Sequence, residues 1–168
     1  MSFTESATEQ HQWLKKFTGE WRTEIEFSHG PDAPRGISTG TESSHMIGDL
    51  WYQGNGASKP KEGEQGGAMV SQFTIGFDSK ADEGKGAFVG TFICDQMHRL
   101  WTYQGPRVGN TIHLRTSAPS FTDPTKTTQM VDELTLVDDN HKYLVSKHLN
   151  EDGTWTEFMW MHYYRVTQ

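Results

Sequence analysis

Residues 19–27 read Gly19-Glu20-Trp21-Arg22-Thr23-Glu24-Ile25-Glu26-Phe27, and the period of this stretch decides the fold. Trp21, Thr23, Ile25 and Phe27 alternate with Arg22, Glu24 and Glu26, the pattern of a strand with one buried and one wetted face. On its N-terminal side the period is close to 3.6 instead. Ser6-Ala7-Thr8-Glu9 matches a capping box, Gln10, Trp13, Leu14 and Phe17 follow at helical spacing, and Gly19 offers a left-handed stop. This predicts one short helix over residues 7–18. On the C-terminal side nine more strand-like runs follow, over residues 38–47, 49–53, 68–77, 87–95, 98–104, 111–116, 127–137, 143–149 and 154–166. Turn chemistry such as Asp82-Glu83-Gly84, Gly105-Pro106 and Gly109-Asn110 separates them. Gly54-Asn55-Gly56 and the polar, glycine-rich run that ends at Gly67 predict a mobile surface loop over residues 54–67. Ten strands crowd a twisted open sheet, and closing the sheet removes its edges. The expectation is an all-β fold: an antiparallel up-and-down barrel of about ten strands, with one short N-terminal helix. Residues 1–168 are the size of a single domain.

Composition excludes several function classes. Lys plus Arg is 15 and Asp plus Glu is 22, so the net charge is −7 and a phosphate backbone is repelled; nucleic acid is not an expected partner. The longest apolar run, Phe158-Met159-Trp160-Met161, is far short of the roughly 18 residues of a spanning helix, so no membrane partner is expected either. Met1-Ser2-Phe3-Thr4-Glu5-Ser6 has neither the basic nor the apolar region of a secretory signal, which makes the cytoplasm the expected compartment. A single cysteine, Cys94, excludes an intrachain disulfide and a multi-cysteine metal site. Gly36-Ile37-Ser38-Thr39-Gly40 fits the G-x-S-x-G nucleophile pattern, yet no strand–turn–helix unit surrounds it. The eight histidines include no His-x-His and no H-E-x-x-H, and there is no Walker loop or dinucleotide fingerprint. No metal and no cofactor are expected.

The first functional expectation is therefore non-catalytic binding of a small apolar or amphipathic ligand inside the barrel. Ile25, Phe73, Phe92, Tyr103 and Met161 are the candidate walls, with simple core packing as the competing reading of each. The second, weaker expectation is an acid–base enzyme using Asp95, His98 and His113, which lie near the ends of successive hairpin strands. The last strand is apolar on both faces, with Phe158, Trp160, Tyr164 and Val166 on one and Met159, Met161 and Tyr163 on the other. Its outer face needs cover, either from Trp13, Leu14 and Phe17 of the helix or from a second copy. A helix of three turns spans about 18 Å and the strand about 43 Å, which favours a homodimer.

The segment Trp13-Leu14-Lys15-Lys16-Phe17-Thr18-Gly19-Glu20-Trp21 resembles the start of the bacterial family called domain of unknown function 1579, where a W-L helix leads into a G-x-W strand. Ile75-Gly76-Phe77-Asp78, the run from Phe88 to Met97, and Tyr163-Tyr164-Arg165 resemble later segments of the same family in the same order. Phe92 and Cys94-Asp95-Gln96 depart from its usual W-I-D-S. The family is similar to calycins, the lipocalins and fatty-acid-binding proteins, and the resemblance implies a barrel whose Trp21 lies beneath Arg165 in a structural cation–π contact. It implies no particular activity. Resemblance to nitrobindin-like calycins adds a third expectation, haem held by His162. Strand parity opposes it, because 162 and 165 differ by an odd number and their side chains take opposite faces.

Overall fold

A computed structural model describes residues 3–167. The chain opens with a short helix, α1 (Glu9–Leu14), which tightens into a 3-10 turn at Lys15–Phe17. Its cap lies later than the sequence pattern implies: Thr8 is the N-cap, and its backbone N–H donates to Nδ1 of His11 at 2.9 Å. Among the described residues eleven strands follow, β1 (Gly19–Phe27), β2 (Gly36–Ile47), β3 (Trp51–Pro60), β4 (Met69–Asp78), β5 (Ala87–Cys94), β6 (Trp101–Gly105), β7 (Arg107–Val108), β8 (Thr111–Pro119), β9 (Thr127–Asp138), β10 (His141–Leu149) and β11 (Trp155–Arg165). Pro106, which has no N–H to donate, divides β6 from the two-residue β7. Successive strands pair antiparallel, β11 returns to β1, and β6 meets β8 at Gln104 and Arg115. The result is a closed ten-stranded up-and-down barrel, with β7 as a short flap on β8.

The seam between β6 and β8 rests on a glycine. A β-carbon built on Gly105 would stand 1.6 Å from the carbonyl oxygen of His113, so no larger residue fits without parting the two strands. Gly105→Ala is expected to cost at least the 1–3 kcal/mol typical of overpacking, read as a lower urea midpoint. A midpoint equal to that of the parent chain would show that the seam does not hold the barrel closed.

One end of the barrel is plugged. Trp13, Leu14 and Phe17 of the helical segment pack inward against Trp21, Phe88 and Leu114, and the guanidinium of Arg107 covers the Trp13 ring at 3.8 Å. The helix thus covers the end of the barrel and not the outer face of β11, as its apolar stripe alone allowed. Trp21 is fully buried above this plug, and its indole N–H donates to the Phe17 carbonyl at 3.0 Å. Arg165, its cross-strand partner, lies 4.2 Å over the ring and donates to the Thr18, Lys16 and Asp139 carbonyls. The expected cation–π pair therefore also ties the helix to the barrel floor.

Two local readings need correction. β3 runs straight through Gly54-Asn55-Gly56, so the expected loop over 54–67 shrinks to residues 61–68. These glycines make room and do not turn: a β-carbon on Gly54 would lie 2.9 Å from the Glu42 carboxyl group and from the Tyr52 hydroxyl. In β11 the register against β10 slips between Ser146 and Lys147, leaving Phe158 unpaired between Met159 and Glu157. This bulge turns Phe158 toward the interior instead of outward with Trp160 and Tyr164. Two outer aromatics of β11 carry arginines, Arg35 over Trp160 at 3.8 Å and Arg22 over Tyr164 at 4.9 Å.

Candidate functional site

Above the plug, the strands enclose a cavity of about 380 Å³ that opens toward the other end of the barrel. Alternation supplies its walls: Ile25 from β1, Phe73 from β4, Phe92 from β5, Tyr103 from β6 and Met161 from β11 all line it, the five positions expected from the sequence. Phe73 meets the rings of Phe92 and Tyr103 edge-on at 6.1 and 5.8 Å, forming an aromatic corner. Met69, Met97, Met130 and Met159 add adaptable thioethers. A broader hollow of about 510 Å³, where residues 4–7 pass residues 47–51, lies outside the barrel and is shallow.

Besides threonine, serine and glutamine side chains, three polar groups at this apolar space carry charge or lack an obvious partner. Asp132 points inward from β9, accepts a hydrogen bond from the Ser146 hydroxyl at 2.5 Å, and is bonded by the Tyr103 hydroxyl. Burial pushes its carboxyl pKa up, against the pull of those two hydroxyls. Glu42 lines the cavity on the far side, and behind it stands the fully buried Lys142. The Lys142 ammonium donates to Glu42 Oε1 at 2.7 Å, to the Tyr52 hydroxyl at 2.9 Å and to the Phe17 carbonyl at 3.1 Å. The Tyr52 hydroxyl in turn donates to Glu42. Three rings, Trp21, Tyr52 and Tyr163, surround the ammonium at 4.5–5.1 Å. Burial pulls the Lys142 pKa down while Glu42 pulls it back up, and burial raises that of Tyr52. The third group is the indole N–H of Trp101, a cavity-lining residue; among the described residues it is the buried side-chain polar atom without a hydrogen-bond partner.

The raised Asp132 pKa has a stability consequence with a definite sign. The folded chain holds this proton more tightly than the unfolded chain, so stability falls as pH rises from the ordinary carboxyl value to the raised one. Asp132→Asn removes the effect. Its unfolding free energy relative to the parent is expected to improve as the pH rises above the ordinary carboxyl value of about 4, measured by urea titration at each pH. A difference that stays constant as the pH rises would contradict the uncompensated carboxylate at the cavity wall.

The acid–base set expected from Asp95, His98 and His113 does not assemble. Asp95 and His98 are exposed in the β5–β6 connection, where the Asp95 carboxylate accepts the Val70 N–H at 3.0 Å. His113 stands between the fully buried Ile112 and Leu114, and so faces outward, 3.5 Å from Glu133. His162 also faces outward: its ring stacks on Tyr143 at 4.3 Å, and its Nδ1 lies 2.8 Å from Nε2 of His141, so haem inside the barrel finds no ligand there. Among the described residues no three His, Cys, Asp or Glu side chains gather as a metal site, and no helix is long and apolar enough to cross a membrane.

The profile of a family described as protein of unknown function (DUF1579) matches residues 6–165. The chain belongs to DUF1579. Among solved structures, this DUF1579 barrel is similar to an S-type phycobiliprotein lyase from Guillardia theta, at 10% identity over 96% of this chain and 95% of that one, with a TM-score of 0.57. It is also similar to a de novo designed fluorescence-activating β-barrel, at 10% identity over 95% of this chain and 100% of that one, with a TM-score of 0.49. At such identities the likeness is one of fold. A search of curated proteins returned no match. Asp132, Ser146 and Glu42, which line the cavity, and Lys142 and Tyr52, which stand behind Glu42, are absent from the residues expected from sequence. Parity held a signal for them, since Asp132 shares a face with Met130, Leu134 and Leu136, and Lys142 shares one with Leu144.

Proposed function

We propose that this barrel binds a small, largely apolar ligand in its interior and does not act as a catalyst. The observation that carries the reading is the cavity itself. Its volume, about 380 Å³, is that of about a dozen water molecules and lies within the usual range for ligand pockets. Its walls are mainly aromatic rings and methionines, with a few polar groups that can orient a guest. Phe27, Met69, Met97 and Phe121 lie at the mouth, where a ligand passes in from solvent. Binding without catalysis is supported by the placement of the acid–base candidates: Asp95 and His98 are exposed in a connection, and His113 faces outward beside Glu133.

The test is a fluorescence titration with N-phenyl-1-naphthylamine, a neutral dye that brightens in apolar surroundings. One saturable site with micromolar or tighter affinity is expected. Ser71→Phe serves as the control, because Ser71 lines the cavity across from Gly56 and a ring there occupies the ligand's space. The variant is expected to weaken the dye at least tenfold. Absence of saturation in the parent chain, or equal affinity in Ser71→Phe, would refute an internal site.

A further inference from the structure

Resting on the ligand-binding reading above, we propose that the cavity selects an amphipathic amine, with the protonated nitrogen held against Asp132. The first argument is charge. Among the described residues, the charged side chains that line the cavity are Glu42 and Asp132, and no lysine, arginine or histidine lines it. Glu42 is already neutralised from behind by Lys142 at 2.7 Å. Asp132 has no such partner: its contacts are the hydroxyls of Ser146 and Tyr103, which solvate a carboxylate but leave its charge uncompensated. A carboxylate in an apolar enclosure is costly unless a cation joins it, and a ligand ammonium supplies that cation.

The second argument is the company that Asp132 keeps. The Tyr103 ring, whose hydroxyl bonds the carboxylate, packs on Phe73, and Phe73 packs on Phe92. Aromatic faces attract a desolvated cation, so the corner that receives the apolar body also favours the charged nitrogen. An anionic head meets the opposite conditions, since it would be placed among two carboxylates with no cation facing it. A neutral apolar guest fills the space but leaves Asp132 desolvated and unpaired. The volume limits the body to a short chain or a small ring system.

The experiment compares three competitors that share one naphthyl body: 1-naphthylmethylamine, 1-naphthylmethanol and 1-naphthylacetic acid. Each displaces N-phenyl-1-naphthylamine from the full chain near neutral pH, and their affinities are ranked. The amine is expected to bind at least tenfold tighter than the alcohol, with the acid weakest. In Asp132→Asn the amine-to-alcohol ratio is expected to fall to within about twofold of one. Equal affinities in the parent chain, or a preference for the acid, would overturn the proposal while leaving the binding cavity intact. So would an amine preference that persists in Asp132→Asn. Failure of the dye itself to bind would remove both the proposal and the reading on which it rests.

Discussion

Lys142→Met is expected to lower the unfolding free energy by about 3–5 kcal/mol, because it leaves the buried Glu42 carboxylate without its cation. In a chain of this size that corresponds to a fall in Tm of about 6–20 °C. The side chains are of similar length, so the loss is electrostatic and not a cavity effect. A second variant separates the pair from its surroundings. Glu42→Leu combined with Lys142→Met removes both charges, and breaking a buried pair costs far more than replacing it by apolar groups. The double variant is expected to recover most of the lost stability, leaving Tyr52 to be satisfied by water from the cavity. A single variant within about 1 kcal/mol of the parent would show that the network at the barrel floor is incidental.

Trp21→Ala is expected to cost about 3–5 kcal/mol, the range for deleting a large buried aromatic side chain. Three losses coincide at this position. The ring fills the floor above Phe17, its N–H satisfies the Phe17 carbonyl, and its faces hold the charges of Arg165 and Lys142. Trp21→Phe keeps an apolar ring but removes the donor, and is expected to cost less, about 1–3 kcal/mol. Because Arg165 also holds the Lys16 and Thr18 carbonyls, Trp21→Ala should loosen the N-terminal helix together with the floor. Hydrogen exchange at residues 9–17 is expected to accelerate beyond the change in global stability. A protected helix in Trp21→Ala would contradict its role as the plug's anchor.

The strands were readable because their one-sided burial writes a period of two into the chain. β1 buries Trp21, Thr23 and Ile25 and wets Arg22, Glu24 and Glu26, as its sequence alternates. The same rule, applied to β8, places His113 outside between Ile112 and Leu114, so the proposed catalytic set already conflicted with parity. Where reading fails, a non-local contact decides. Gly54 looks like a turn residue, and only the packing of Glu42 and Tyr52 against it reveals why a strand needs glycine there. Phe158 takes the inner face because β11 gains a residue against β10, a slip that no single strand announces. Asp132 and Ser146 are fourteen positions apart and meet only through the register of β9 with β10. The five apolar walls came from alternation, whereas the polar centre of the cavity depends on which inward positions face one another across the barrel.

The most direct test of an internal binding site uses the methionines as reporters. Of the seven in the chain, Met69, Met97, Met130, Met159 and Met161 line the cavity, while Met46 packs against the core near the plugged end. Methyl-labelled methionine gives each a separate NMR signal, followed during titration with N-phenyl-1-naphthylamine. The signals of Met130, Met159 and Met161 are expected to shift together and saturate at one equivalent of dye, with Met46 unmoved. Saturable fluorescence with those three methyl signals unchanged would place the dye outside the barrel and contradict the account.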